Sequence, residues 1–113
     1  MMTPVEAVQT QLDAYNARDL ERFLSVFDEN VKVYRPPAGA PTMTGRAALG
    51  EFHRTERFTL PALHAELLGR VAFGNKVIDH ERVSGIGDKA FEVAAVYEVV
   101  GGKIAAIWYF PAG

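Results

Sequence analysis

The residues with the clearest chemical potential lie in the stretch 74–85, GNKVIDHERVSG, which has the pattern of a turn followed by a β-strand. Side chains along a strand point alternately to the two faces of its sheet, so Ile78, His80 and Arg82 share one face and Glu81 lies on the other. A histidine beside an arginine on the concave face of a curved sheet would form a small polar site in an apolar pocket. That is the usual form of a small-molecule site.

The pair of His80 and Arg82 has two possible interpretations. In the functional one, the Arg82 cation favours the neutral imidazole of His80, which can act as a base, while Glu92 on the next strand orients the arginine. In the structural one, His80 is an ordinary sheet histidine held by an ion pair. Glu92 is either a neutral hydrogen-bond donor or the partner of Arg82, and we expect the pairing because matched positions on neighbouring antiparallel strands lie close together.

Composition excludes several classes of function. A chain of 113 residues with 49% hydrophobic and 23% charged residues is typical of one globular domain, which we place at residues 1–113. The net charge of -2 and the scattered basic residues argue against a nucleic-acid or membrane-surface partner. The absence of cysteine and of HxH or HxxxH spacing argues against a metal site, and we expect no cofactor. No apolar leader or membrane span is evident, so we expect a cytoplasmic protein.

Helical patterns occupy the first part of the chain. Thr3 and Pro4 form a helix start, and apolar residues recur through Tyr15 at three- and four-residue spacing. Asp19 is predicted to cap a second short helix that buries Phe23 and Phe27. A short strand at 31–35 follows.

A proline-rich loop and a third helix follow that strand. Pro36 and Pro37 stop the strand, and a turn-rich loop leads to the helix predicted over 46–57, with Ala48, Leu49 and Phe52 buried. From Leu63 onward the pattern changes to four strands joined by short turns. We therefore predict an α+β fold, an antiparallel sheet covered on one side by three N-terminal helices.

This order resembles the nuclear transport factor 2-like superfamily, with its SnoaL-like and ketosteroid-isomerase-like branches. The resemblance rests on AYNARDLERFLSVFDENVKVY at 14–34, TGRAALGEFHR at 44–54, VIDHERVSG at 77–85 and GGKIAAIWYF at 101–110. It implies a single SnoaL-like domain with a cone-shaped, cystatin-like curved sheet around an apolar pocket, and homodimers through the sheet in many members. The superfamily contains enzymes, binding domains and transport factors, so the fold does not fix the function.

Catalytic residues of the known branches transfer only in part. Ketosteroid isomerases carry an aspartate base before the proline of the first-strand loop, and Arg35 stands at that place here. Their oxyanion hole uses a first-helix tyrosine, where this chain has Gln11 with Tyr15 one turn later, and a protonated aspartate, matched here by Glu92. Limonene-epoxide hydrolases carry two aspartates, at whose places this chain has Ser84 and Tyr109. Neither chemistry is supported as it stands.

Two sets of site residues follow from strand faces and the resemblance. The predicted catalytic residues are His80, Arg82, Glu92 and Tyr109. The predicted substrate-binding residues are Tyr15, Arg35, His53, Ile78 and Ile107.

The face opposite His80 is expected to be apolar as well. On this assignment Tyr97, Val99, Trp108 and Phe110 lie together on the outer surface. A tryptophan-containing patch of this kind is seldom left exposed on a monomer, so we predict a homodimer through the outer sheet face.

Two classes of function remain open. The first is a cofactor-free isomerase-, cyclase- or hydrolase-like enzyme acting by acid-base chemistry on a small apolar keto or cyclic substrate. The second is a non-catalytic ligand-binding or dimerisation module, with Arg82 anchoring a carboxylate or other acidic group of an organic ligand. The lost aspartates favour the second class and the retained polar residues favour the first.

Overall fold

Three helices cover one face of a six-stranded sheet. A computed structural model describes residues 1–113. The helices are α1 (Pro4–Ala17), α2 (Leu20–Leu24) and α3 (Arg46–Glu56), and the strands are β1 (Phe27–Tyr34), β2 (Met43–Thr44), β3 (His64–Phe73), β4 (Lys76–Ser84), β5 (Phe91–Val100) and β6 (Lys103–Pro111). Helices precede most of the strands, and the predicted α+β class is confirmed.

The sheet has the strand order β2-β1-β6-β5-β4-β3. Strands β3 to β6 form the predicted antiparallel meander, in which Val77 of β4 lies opposite Tyr97 of β5, and Tyr97 lies opposite Ile107 of β6. Strand β1 returns to pair in parallel with β6, with Val33 beside Ile107. The antiparallel prediction covered the four long strands, and the pairing of β1 was not predicted, because alternation within a strand does not specify its partner.

The helix starts follow local chemistry. The Thr3 hydroxyl accepts from the Glu6 backbone N–H at 3.1 Å, and Glu6 accepts from the Thr3 backbone N–H at 2.8 Å. This reciprocal pair satisfies two backbone donors that a helix start otherwise leaves free. Asp19 caps α2 as predicted, by accepting from the Arg22 N–H at 3.1 Å. None of the three helices combines the length and hydrophobicity that crossing a bilayer requires.

Strand β1 begins at Phe27, earlier than the predicted strand at 31–35, and the short strand β2 was not predicted. Helix α2 ends at Leu24, and Phe27 begins β1 instead of completing the helical face. Phe27 is nevertheless fully buried, because β1 turns it into the same core. The short strand β2 lies inside the predicted loop, where two residues are too few to produce an alternating pattern.

The break after α1 fixes the helix to the sheet. The Asn16 side chain donates to the Ala65 carbonyl at 2.9 Å and accepts from the Ala65 N–H at 2.8 Å. Arg18 donates to the carbonyls of Leu63 and Pro61, each at 2.8 Å. These bonds use backbone groups at the start of β3, so α1 is held across the concave face of the sheet.

The hydrophobic core lies between the helices and that concave face. Its largest fully buried side chains are Tyr97, Phe23, Phe27, Leu63, Ile104 and Ile107. Helix α3 contributes Leu49, Gly50 and His53. The prediction that Ala48 is buried is wrong, since it lies on the exposed side of α3. A Cβ on Gly50 would lie 2.8 Å from a Leu24 methyl carbon, so glycine permits the close approach of α2 and α3.

Candidate functional site

A cavity of about 110 Å³ opens between helices α1 and α3 and the concave face of the sheet. Thirteen of its eighteen lining residues are hydrophobic, so the polar ones stand out. The polar and aromatic lining residues are Gln11, Tyr15, Arg35, Phe52, His53, Arg57, Glu81, Phe91, Tyr97 and Tyr109. An apolar cavity with a few convergent polar groups is the usual form of a ligand site.

Strand β4 places Glu81 in this cavity. Its buried residues are Val77, Asp79, Glu81 and Val83, which alternate along the strand and face the helices. His80 and Arg82 are exposed on the convex face. The alternation was predicted correctly, but the choice of inward face was wrong, because the core takes the face that carries the two valines.

The predicted site around His80 therefore lies on the other side of the sheet. His80 Nε2 and Glu92 Oε1 lie 2.5 Å apart, with about half of each side chain exposed. Glu92 is opposite Arg82 in register, yet it pairs with His80, and Arg82 forms no salt bridge. The predicted Arg82–Glu92 pair inside the pocket is wrong. Ile78 also lies off the cavity, on the convex side of β4.

Glu81 is the one acidic side chain that lines the cavity. It is 6% exposed, and its Oε2 has no hydrogen-bond partner. Burial, reinforced by the nearby Asp79 carboxylate and opposed by the Arg70 guanidinium, raises the pKa of the Glu81 carboxyl from 4.5 to about 7. Near neutral pH the acid and base forms are thus both populated, which suits a group that gives and takes protons.

Asp79 is buried two residues away and is fully paired. Arg70 of β3 donates to its two carboxylate oxygens at 2.7 and 2.9 Å, and a third Arg70 donor reaches Gln9 of α1 at 2.9 Å. The Arg70 side chain is 15% exposed and that of Asp79 is fully buried. This network ties α1 to β3 and β4, and it leaves Glu81 as the buried carboxyl without a cationic partner.

Three tyrosines line the cavity together with Glu81. Burial raises the pKa of Tyr15 to about 12, and it also raises the pKa values of Tyr97 and Tyr109, with the charge of Glu81 adding to each rise. The hydroxyls therefore stay protonated at neutral pH and can donate hydrogen bonds. Tyr97 donates to Gln11 Oε1 at 3.3 Å. Tyr15 and Tyr109 make no such bond to the protein, so both are free to donate to a ligand.

His53 lies in an aromatic cluster at the α3 side of the cavity. Its ring centroid is 4.5 Å from that of Phe23 and 5.4 Å from that of Phe58. Nδ1 lies 2.9 Å from the Leu49 carbonyl, which can only accept, so the proton is on Nδ1. Burial, with a smaller contribution from Arg57, lowers the pKa of His53 to about 4 against the effect of that hydrogen bond. The imidazole is therefore neutral and a weak base.

Two arginines line the cavity from separate elements. The Arg35 guanidinium carbon, just after β1, lies 4.8 Å from the centre of the Tyr109 ring. The Arg57 guanidinium carbon, just after α3, lies 4.7 Å from the centre of the Phe52 ring. Neither arginine forms a salt bridge, and Arg57 donates only to the Glu56 carbonyl at 3.0 Å.

The family of this chain follows from its similarity to known proteins. The model of the SnoaL-like domain matches residues 8–107, which is most of the chain. The chain is a SnoaL-like domain. No curated protein sequence matches it.

Solved structures support the same fold for the SnoaL-like domain. An uncharacterised cystatin-fold protein from Novosphingobium aromaticivorans is 22% identical, with 97% of this chain and 99% of that one covered and a TM-score of 0.86. A putative ketosteroid isomerase from Kribbella flavida is 21% identical, with 95% and 76% covered and a TM-score of 0.81. A putative polyketide cyclase from Sinorhizobium meliloti is 18% identical, with 96% and 100% covered and a TM-score of 0.79. At these identities the likeness establishes the fold.

The structure brings together part of the predicted site of this SnoaL-like domain. Tyr15, Arg35, His53 and Tyr109 all line the cavity. Ile107 is buried in the core on the same side of the sheet but is not a lining residue. Sequence reasoning missed the cavity positions of Glu81, Tyr97 and Arg57. For Glu81 the available signal was its position between Val77 and Val83 on one strand face.

The convex face of the SnoaL-like domain is apolar at several positions. Tyr34 and Trp108 stack with ring centroids 5.2 Å apart, and Val71, Phe73 and Phe110 are each at least 42% exposed. The predicted outer position of Trp108 and Phe110 is confirmed by the structure. That of Tyr97 and Val99 is wrong, since they are 1% and 4% exposed within the core.

Proposed function

We propose that the cavity is a small-molecule site in which Glu81 transfers protons, so that the SnoaL-like domain acts as a cofactor-independent acid-base enzyme on a small carbonyl compound. The observation that carries this proposal is a buried carboxyl with an unpartnered oxygen in a mostly apolar cavity. Buried polar groups in folded proteins are normally hydrogen-bonded, so an exception facing a cavity favours a functional role.

The proposed reaction is isomerisation through an enolate. Ionised Glu81 takes a proton from the carbon between a carbonyl and a carbon-carbon double bond, and the C–H electron pair moves into the carbonyl, which becomes an enolate. The Glu81 acid then returns the proton to the far carbon of the double bond, so the carbonyl re-forms and the double bond moves into conjugation. No atom is gained or lost overall.

Tyrosine hydroxyls would stabilise the enolate in this reaction. Tyr15 and Tyr109 line the cavity with protonated, unengaged hydroxyls, and donors aimed at a developing oxyanion are among the largest contributors to catalysis. The Arg70–Asp79 pair does not touch the cavity. It serves instead to hold β4 against α1 and to set the charge environment of Glu81.

The cavity volume limits the substrate to about one ring. An apolar cavity of ~150 Å³ holds a benzene molecule, whereas sites for drug-sized ligands measure ~300 to 1,000 Å³. The present cavity, at about 110 Å³, therefore suits a single ring or a short chain and not a steroid skeleton. The isomerase- and cyclase-like names of two structural neighbours agree with the reaction class, while the base differs, because Arg35 occupies the place of the ketosteroid-isomerase aspartate.

Cyclohex-3-en-1-one is the matched probe, because it carries the required double bond and carbonyl on one ring. Its conversion to the conjugated cyclohex-2-en-1-one is followed by ultraviolet absorbance. We expect catalysis by the wild type at neutral pH and a loss of about 100-fold or more in Glu81→Gln, the typical contribution of a general acid-base group.

The control for this assay is Glu92→Gln, which makes the same substitution on the convex face. It should retain full activity. A rate no higher than that of buffer for the wild type, or equal rates for the wild type and Glu81→Gln, would contradict the proposal.

A non-catalytic ligand-binding role is the second candidate. The observation that favours it is Arg35, which replaces the aspartate base of the isomerase branch at the cavity. If this role is correct, one-ring compounds bind in the cavity and are recovered unchanged, with hydrogen-deuterium exchange at their acidic carbons no faster than in buffer.

We also propose a homodimer formed through the convex face. The stacked Tyr34–Trp108 pair together with Val71, Phe73 and Phe110 makes an exposed apolar surface of the kind that interfaces cover. Sedimentation at micromolar concentration should give a dimer for the wild type and a monomer for Trp108→Arg. A wild-type monomer would overturn this proposal and leave the cavity proposal untouched.

A further inference from the structure

Arg35 and Arg57 give the cavity a feature that proton transfer by Glu81 does not require. Both guanidinium groups line it, and neither has a carboxylate partner. Arg54, close by on α3, pairs instead with Glu51 at 2.7 Å. The chain has 14 acidic residues, yet none of them forms a salt bridge with Arg35 or Arg57.

Aromatic rings hold these cations in place without neutralising them. Arg35 lies over Tyr109 and Arg57 lies over Phe52, and both rings line the cavity. Cation–π contact fixes a guanidinium near a ring face but supplies no acceptor for its five N–H donors. Arg57 gives one donor to the Glu56 carbonyl, and the other donors of both groups remain available to an anion.

The two cations act at one place although they come from different elements. Each lowers the pKa of Tyr109 against the larger effect of burial, so both positive charges lie within electrostatic reach of the same hydroxyl. Arg57 acts in the same direction on Tyr15. An anionic group in this cavity near Tyr109 would thus be attracted by both positive charges.

We propose that the substrate is a one-ring carboxylic acid, with its ring in the cavity near Glu81 and its carboxylate bound by Arg35 and Arg57. This inference rests on the proposed function of the cavity and adds a substrate class to it. Guanidinium groups bind carboxylates through paired, charge-assisted hydrogen bonds, which are stronger than bonds between neutral groups. The cavity volume, smaller than that of a benzene-binding cavity, admits no more than one ring.

Benzoate and benzamide are suitable probes, because they share a ring and a planar head group and differ in charge. We expect calorimetric titration of the wild type to give a dissociation constant about tenfold or more lower for benzoate, and added salt to weaken benzoate alone. The double variant Arg35→Gln/Arg57→Gln should bind both probes equally. Arg54→Gln, the matched surface control, should keep the preference.

Nuclear Overhauser effects from the benzoate ring protons to the methyl groups of Val83 and Val93 locate the probe, because both valines line the cavity. Equal affinities for the two probes, a benzoate preference that survives in the double variant, or the absence of these effects would overturn the carboxylate assignment. Binding of both probes weaker than ~10 mM would overturn the one-ring class as well. Glu81-dependent isomerisation of cyclohex-3-en-1-one is scored separately, so either proposal can fail alone.

Discussion

The two faces of strand β4 carry similar side chains and use them differently. On the convex face His80 pairs with Glu92, and about half of each side chain is in water. On the concave face Asp79 and Glu81 are 0% and 6% exposed. Solvent screens the attraction between His80 and Glu92, whereas interactions between charges are much stronger on the buried face.

The buried face itself separates two carboxyls. Asp79 is paired with Arg70 through two hydrogen bonds, and Glu81 has an oxygen without any partner. The first arrangement stabilises a charge and the second disfavours it, so the pKa of Glu81 rises to about 7. Alternation along β4 thus separates the surface ion pair of His80 from the buried carboxyls. Among the buried carboxyls, the presence or absence of a cationic partner separates Asp79, a structural ion pair, from Glu81, the candidate acid-base group.

The largest expected effect comes from breaking the buried pair. Arg70→Met leaves the Asp79 carboxylate in the core without its partner, and such a loss typically costs ~3–5 kcal/mol of unfolding free energy. Chemical denaturation measures this cost.

The double variant Arg70→Met/Asp79→Leu is the control, because it removes the stranded charge together with its partner. It should recover most of the lost stability. A single variant as stable as the wild type would show that the pair is solvated, contrary to the fold described here.

A smaller effect is expected from the pH dependence of stability. Since folding raises the pKa of Glu81 from 4.5 to about 7, the unfolded chain releases this proton first, and the wild type loses stability as pH rises across that window. The loss amounts to roughly 3 kcal/mol and levels off above the folded pKa. Glu81→Gln should lack it.

Comparing the two proteins at each pH isolates Glu81 from other titrating groups. His53 works in the opposite direction, because its lowered pKa makes the protein less stable as pH falls below 6.5, but it is present in both proteins. The charged groups that act on Glu81 are Asp79, which raises its pKa, and Arg70, which lowers it. Parallel stability curves for the wild type and Glu81→Gln would contradict the raised pKa.

The smallest effect is expected on the convex face. His80→Gln and Glu92→Gln each break a pair that is half in water, and exposed pairs contribute at most ~1 kcal/mol. We expect denaturation midpoints close to that of the wild type. A loss as large as that of Arg70→Met would mean that the His80–Glu92 pair itself is buried, for example within the proposed dimer interface, contrary to its exposure here.

The sequence predicted the fold better than the site. The helix start at Thr3, the changes of period and the four long strands are local signals, and the structure confirms them. Alternation along β4 separates its side chains into two sets, but it does not show which set faces the core. That depends on how the rest of the sheet packs against the helices. Because the face with His80 was taken as the inward one, the predictions for His80, Arg82 and Glu92 are wrong, and all three lie on the convex side. Tyr109 was assigned to the same face as His80, but it lines the cavity on the opposite side of the sheet from His80.

The central claim is that Glu81 titrates near neutral pH inside the cavity. Carbon-13 NMR of the glutamate side-chain carboxyl carbons, followed across a pH series, measures it directly, and the signal missing from Glu81→Gln assigns the residue. The structure predicts one glutamate with a midpoint near 7. A midpoint for Glu81 near the ordinary value of ~4.3 would contradict its assignment as the acid-base group of the cavity.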